Sequence, residues 1–326
     1  MSIESLWYGQ QPLAWLLWPL SLVYRAVVAM RRLAYRTGLK SSTRFDKPVV
    51  VIGNLTVGGT GKTPLVIWLV ERLRDAGFKP GIVTRGYRGK SRSWPRRVAA
   101  DSDPVEVGDE AVLMARRCDC PVYAAPDRVV AAGQLLAETD VDVILADDGL
   151  QHYALARDIE VAVIDDARGF GNGFMLPAGP LRESGCRLED VDVVVHHGGE
   201  GVHPHWMRLD ITQALSLDGS TQVKSLSEFV GQSVHAIAGI GNPARFFDRL
   251  RELGMDVVEH AFPDHHDYIE QDFLFADGAA LLMTEKDAVK VAALRLTNSW
   301  MVRADTVASD SIVEQVIDGI RRTNKV

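Results

Sequence analysis

Three cysteines occur in 326 residues, Cys118, Cys120 and Cys186. An odd number with no repeated spacing excludes a disulfide framework, and no Cys/His pair has zinc-site spacing. A reducing, cytoplasmic compartment follows. There is no surplus of positive charge. The formal net charge is −7, which excludes a general nucleic-acid binder. There are no internal repeats, no low-complexity tracts and only 14 prolines, so the composition is that of a folded globular chain. Its length exceeds what one core usually holds and predicts two domains plus an appendage.

The charge is not evenly spread. Residues 1–48 hold seven basic side chains (Arg25, Arg31, Arg32, Arg36, Lys40, Arg44, Lys47) against Glu4 and Asp46. That end is therefore at +5, which leaves −12 for the rest. A basic end on an acidic body predicts an anionic surface opposite it. The run LAWLLWPLSLVY (13–24) is apolar but shorter than the roughly 20 residues that span a bilayer. It also lacks the basic start and cleavage site of a signal peptide. As a helix, it places Arg25, Arg32 and Arg36 within roughly 40° of one another. Trp7, Trp15 and Trp18 suit the water–lipid boundary. The reading is a monotopic or shallowly inserted helix over 1–36, with basic residues at anionic headgroups. A soluble helix packed on the body is the alternative. Pro19 is expected to kink either one.

The remainder alternates apolar runs with helical patterns. VVVIGN (49–54), VDVILADD (141–148), IEVAVID (159–165) and VDVVVHH (191–197) read as buried strands. PLVIWLVERLRDAG (64–77) reads as a helix closed by Gly77. This predicts an α/β fold with a parallel sheet covered on both faces, of the P-loop NTPase type, over 37–215. Near residue 216 a second, smaller α/β domain begins and runs to 326. It contains VHAIAGIG (234–241), a helix started by Asn242-Pro243, MDVVEHAF (255–262) and AALLMTEKDAVK (279–290).

Between the first strand and its helix stands Thr56-Val57-Gly58-Gly59-Thr60-Gly61-Lys62-Thr63, the context a P-loop requires. Glycines let backbone N–H groups turn inward onto phosphate oxygens, and the helix N-terminus adds its dipole. Lys62 would reach the β- and γ-phosphates, and the Thr63 hydroxyl would bind Mg²⁺. Thr56 stands where the usual pattern has glycine. An acidic residue ending a buried strand is the expected second half, and Asp147 fills it as a Mg²⁺ contact. A helix N-cap is the other role open to it. GTPase signatures are missing: Ala146 occupies the place of the DxxG aspartate, and no NKxD occurs. Val57 stands where partitioning ATPases carry a second lysine. An ATP-dependent kinase remains, with a membrane-docked nucleotide switch as its competitor.

GNLTVGGTGKTP (53–64), TRGY (84–87), VGDE (107–110), DDGLQH (147–152), GNGFMLPAGPLRES (171–184), GIGNPARFF (239–247), FPDHH (262–266) and TEKDAVK (284–290) occur in that order. Together they resemble the tetraacyldisaccharide 4′-kinases of lipid A synthesis, from the N-terminal segment to about residue 300. The resemblance implies that ATP phosphorylates the 4′-hydroxyl of a tetraacylated glucosamine disaccharide 1-phosphate. It implies work at the cytoplasmic face of an inner membrane, among phospholipids, with no nucleic acid and no obligatory protein partner. It pairs Asp109 with His265 as the group that deprotonates the hydroxyl, with a carboxylate orienting an imidazole. Taken alone, Asp109 reads as a helix cap and His265 as a surface residue. Glu110 is a second Mg²⁺ contact or a first-turn helix acid. Gln151, His152, Arg182, Glu183 and Arg85 are expected around the substrate and phosphates, with a plain salt bridge as the other use of Arg182. Lys286 and Asp287 shape the far side of the cleft or cap a helix. His260, His265 and His266 with Asp264 and Asp267 are not expected to form a metal site, because adjacent His265 and His266 do not readily share one ion.

Overall fold

The structure, a computed structural model, describes residues 3–9, 12–220, 222–275, 277–291, 294 and 296–323. It opens with α1 (Ile3–Tyr8) and α2 (Leu13–Arg36). Then come β1 (Val49–Gly53), α3 (Lys62–Asp75), β2 (Pro80–Thr84), β3 (Arg96–Val98), α4 (Pro104–Val107), α5 (Asp109–Arg117) and β4 (Val122–Ala124). α6 (Arg128–Glu138), β5 (Val143–Ala146), β6 (Ile159–Asp165) and β7 (Val193–His197) complete the first half. The second half has β8 (Trp206–Ser216), β9 (Val223–Ser225), β10 (Ser233–Ala238), α7 (Pro243–Glu252), β11 (Asp256–Ala261), β12 (Ala280–Thr284), α8 (Glu285–Val291), β13 (Ser299–Ala308) and α9 (Asp310–Thr323).

Among the described residues the strands form one sheet, ordered β11-β10-β12-β13-β8-β7-β6-β1-β5-β2-β4-β3, with β9 beside β8. Two parallel blocks lie within it. In the first, β1 sits between β5 and β6, and β2 between β5 and β4. In the second, β10 lies between β11 and β12, and β12 continues to β13. The antiparallel pair β8–β13 joins them, with its register shifting at Arg303/Ala304. The first block is covered on both faces, as the apolar runs predict. Val50 and Ile52 of β1 enter one core, and Val49 and Val51 enter the other, because successive side chains of a strand point to opposite faces. The second block has two smaller cores of its own.

The described residues beyond 216 do not stay together in one core. Ile312, Val313, Val316 and Ile320 of α9 pack with Val50, Leu65, Ile159 and Val193 in the first block. The amphipathic stripe of that last helix matches a face that β6, β7 and α3 leave uncovered, so the chain crosses the sheet and returns.

α2 is a single helix of 24 residues with Pro19 inside it. It is therefore longer than its apolar run and is long and apolar enough to cross a bilayer. It docks by one stripe. Ala14 and Ser21 are buried, and the Ser21 hydroxyl donates to the Met175 carbonyl at 2.8 Å. The Tyr24 hydroxyl donates to the Arg182 carbonyl at 3.2 Å. Arg32, half-buried, pairs with Asp190, and Arg36 stands 3.7 Å from the same carboxylate. The face expected to meet headgroups is thus partly spent on the protein itself, because Arg32 continues the docked stripe. Arg25 and Arg31 remain exposed. The opposite face presents Trp15, Leu16, Leu20, Val23, Val27 and Met30 to the outside.

Candidate active site

The loop after β1 turns into α3 at Gly61, whose φ is +94°. A Cβ there would meet His197 Nδ1 at 2.9 Å, so a side chain is excluded by contact as well as by backbone. His197, at the end of β7, lies 3.0 Å from the Thr60 carbonyl and is itself held by Arg245 of α7, 3.3 Å away. Arg245 also bonds Asp165 at 3.0 Å. On the outer side, Val57 N–H donates to the Pro180 carbonyl at 2.8 Å. Thr56 and Thr63 are buried, whereas Val57, Gly58 and Gly59 are exposed. The loop is fixed at both shoulders and open over its glycines.

Lys62 Nζ donates to Asn54 Oδ1 at 3.2 Å and stands 3.6 Å from Asp148 Oδ1. Arg182 grips both oxygens of Asp148, at 3.0 and 2.8 Å, and also bonds Asn54. Burial would raise the Asp148 carboxyl, but Lys62 and Arg182 outweigh it and hold the group well below the usual range. Asp147 is in the opposite condition. Burial, then Glu110 and Asp148, push it up to about 7. Its Oδ2 accepts from the Thr84 hydroxyl at 3.3 Å, while its buried Oδ1 has no partner among the described residues. A buried carboxylate oxygen without a donor, with the Glu110 carboxylate acting on the same group, fits a hard divalent cation or its water. A cation there would cancel the repulsion that raises the carboxyl.

Asp109 opens α5. The helix cap is Gly108, with φ +94°, where a Cβ would meet the Tyr87 carbonyl at 2.6 Å. The Asp109 carboxylate accepts from the Glu110 N–H at 2.8 Å through Oδ1 and faces His265, whose Nδ1 lies 2.9 and 3.1 Å from its two oxygens. Burial opposes the charge on Asp109, but the bond to His265 and the Lys286 ammonium keep the carboxyl below its ordinary value. The pair joins the two parallel blocks of the sheet. Nearby, Gly241 approaches the P-loop closely: a Cβ on it would lie 3.1 Å from Gly59 N.

The other expected residues separate into two groups. Gln151 stays at the P-loop, donating to the Asn54 carbonyl at 3.2 Å. His152 lies 3.2 Å from Asp127 at the start of α6, and burial together with Arg128 lowers its pKa. Arg85 is exposed at the end of β2. Glu183 is buried, accepts from the Tyr153 hydroxyl at 2.7 Å through Oε1 and faces Arg187 at 3.5 Å, while its Oε2 has no hydrogen-bond partner among the described residues. Lys286 belongs to the site itself, bonding Glu110, Asp264 and His265, each at 3.1 Å. Asp287 is a structural hub, accepting from Gly239 N–H, Tyr268 and Thr284. Asn54 and Arg128, the latter donating to the Asp148 carbonyl at 2.8 Å, carry no sequence signal beyond their place beside the loop and the acidic strand. His266 turns from its neighbour to Asp272, 2.8 Å away. Elsewhere, Asp166, His196 and His203 bring ligand-type atoms within 4.8 Å of one another. The two imidazoles stack at 3.5 Å with planes 10° apart, so their lone pairs do not converge on one ion.

The family model of tetraacyldisaccharide-1-P 4′-kinase, LpxK, matches residues 13–321. The chain is similar to a tetraacyldisaccharide 4′-kinase of Nitrosococcus oceani, 48% identical over 319 residues that cover 98% of this chain and 94% of the relative. It is similar also to one of Pseudomonas aeruginosa, 45% identical over 310 residues, 94% of this chain and 93% of that one. In three dimensions it is similar to the crystal structure of "apo" form LpxK from Aquifex aeolicus in complex with ATP. The TM-score is 0.81 at 27% identity, covering 94% of this chain and 99% of that chain.

Proposed function

The chain belongs to the tetraacyldisaccharide 4′-kinase family and is an ATP-dependent kinase of the lipid A disaccharide precursor; from that premise we propose how its own residues bring about the transfer to the 4′-hydroxyl. The observation that carries the reading is the contact of Asp109 with His265, made between the two parallel blocks and beside the P-loop.

Thr56 to Thr63 hold the triphosphate, through backbone N–H groups over Gly58 and Gly59 and through the α3 N-terminus. Lys62 leaves Asn54 and Asp148 for the β- and γ-phosphates, and Arg182, already in the fork geometry that suits an oxyanion, neutralises charge beside it. Thr63, Asp147 and Glu110 are the residues that would hold Mg²⁺, which supplies charge neutralisation between the phosphates when bound. Gln151, His152 and Arg85 line the approach of the substrate. Asp109 fixes the His265 ring so that its other nitrogen takes the proton of the attacking hydroxyl. Residues 37–215 act as the nucleotide-binding unit, α9 included in its core, and the block built on β10–β13 as the smaller unit that closes the cleft.

Residues 1–36 hold the enzyme at the cytoplasmic face of an inner membrane. The outward apolar face of α2 and exposed Arg25 and Arg31 support contact with acyl chains and with anionic phospholipid headgroups. The test is transfer of label from γ-labelled ATP to a tetraacyl disaccharide 1-phosphate in detergent micelles. A folded preparation that hydrolyses ATP without labelling the lipid would overturn the reading in favour of a nucleotide switch.

A further inference from the structure

Lys286, in the first turn of α8, stands where the two parallel blocks meet. Its Nζ lies 3.1 Å from each of three atoms: Glu110 Oε1 on α5, Asp264 Oδ1 in the loop after β11, and His265 Nε2. Two carboxylates, Glu110 and Asp264, lie within ion-pair distance of it, and Nζ faces them as an ammonium. An ammonium has three N–H donors and no lone pair, and here three acceptors use all three.

This count fixes the imidazole. A donor at Nζ requires Nε2 to be the acceptor, so the ring proton is on Nδ1, where Asp109 receives it at 2.9 Å. The ring is further confined by the Tyr87 ring, edge-on at 5.0 Å, and by Arg88, which bonds the His265 carbonyl at 3.0 Å. Asp109 alone would hold the ring by one nitrogen. Lys286 holds the other, and it is the nitrogen that must receive a proton during transfer.

We propose that Lys286 is a positioning residue of the reaction, which sets the tautomer and ring orientation of His265 and keeps its Nε2 lone pair reserved until the acceptor hydroxyl displaces the ammonium from it. This rests on reading Asp109–His265 as the base. When the hydroxyl arrives, its proton passes to Nε2 and its oxygen forms the bond to the γ-phosphorus. The bond from that phosphorus to the bridging oxygen breaks, and ADP leaves with the electron pair. Lys286 remains on Glu110 and Asp264 and exchanges no atom.

The experiment compares the full chain with Lys286→Met, which keeps the stem and removes the ammonium, and with Lys286→Arg, which keeps a charge. Long-range ¹H–¹⁵N spectra report the ring nitrogens, with His265 assigned by its loss in His265→Gln. The wild type is expected as the Nδ1–H tautomer, and Lys286→Met as a mixture or as Nε2–H. ATP affinity and acceptor KM stay within about twofold while kcat falls about 100-fold. Lys286→Arg keeps the Nδ1–H tautomer and recovers part of kcat, and it supplies the same readouts if the Met variant fails to fold. An unchanged tautomer in Lys286→Met, or an Nε2–H tautomer in the wild type, would overturn the proposal. Full turnover in His265→Gln would instead overturn the base role, an outcome the spectra distinguish because they read the ring without turnover.

Discussion

Arg182 holds Asp148 by two parallel bonds, and the P-loop lysine stands on the same carboxylate. The cations proposed to meet the triphosphate are therefore gathered around one anion they outnumber. Removing Arg182 leaves Asp148 with Lys62 at 3.6 Å. Arg182→Ala is expected to cost about 1–3 kcal/mol, seen as a thermal midpoint lower by a few degrees, and to reduce turnover. Arg182→Lys should restore little of either, because an ammonium cannot span both oxygens. Full recovery by lysine would show that charge alone matters there.

Asp109 and His265 act as one unit in this reading. Each of Asp109→Ala and His265→Ala should lower kcat by about 10²–10⁴ with ATP affinity retained. The double variant should be no slower than the slower single one. Multiplying losses, measured in the same lipid-acceptor assay, would mean that the two residues contribute separately.

Much of this was legible in the chain. The sheet, the P-loop and the acidic strand follow from apolar runs bounded by glycine and aspartate. The return of α9 to the first core was not legible, because an amphipathic helix does not say which uncovered face it fits. The surroundings of Glu183 were not legible either, because its place next to Arg182 in a Gly/Pro-rich loop does not announce Tyr153 and Arg187 as its neighbours. Lys286 was marked by its motif as a residue of the cleft, but its bonds to Glu110 and His265, and those of Asn54 to Arg182, join residues far apart in sequence and were not legible.

The raised Asp147 carboxyl has a consequence for stability. Its folded value is about 7, against an ordinary unfolded value of about 3.9. A carboxyl raised on folding contributes stability that is fully present below the unfolded value and is lost as pH rises through the folded one. Asp147→Asn should therefore melt higher than the wild type at pH 8 without Mg²⁺, by an amount on the order of 1–3 kcal/mol. The gain should shrink toward pH 5. It should come with loss of turnover, as the Mg²⁺ role proposed for Asp147 requires. A difference that stays constant with pH would remove the ionised carboxylate as its cause.

The docked and free faces of α2 should separate by mutation. Leu16 and Val23 are 74% and 62% exposed. Replacing both by glutamate should abolish flotation with anionic phospholipid vesicles while the thermal midpoint and ATP binding hold. Persistent flotation would move the lipid contact elsewhere on the protein.

Tyr24 is on the docked stripe of that helix, and its hydroxyl holds the carbonyl of the residue whose guanidinium grips Asp148. One residue thus separates the helix with the outward apolar face from the Asp148 carboxylate beside Lys62. The membrane mounting proposed above would have the enzyme meet its acceptor in two dimensions. Its turnover should then respond to how many acceptor molecules share each unit of bilayer area, and diluting the membrane with inert lipid should slow it even when every molar concentration in the tube is unchanged.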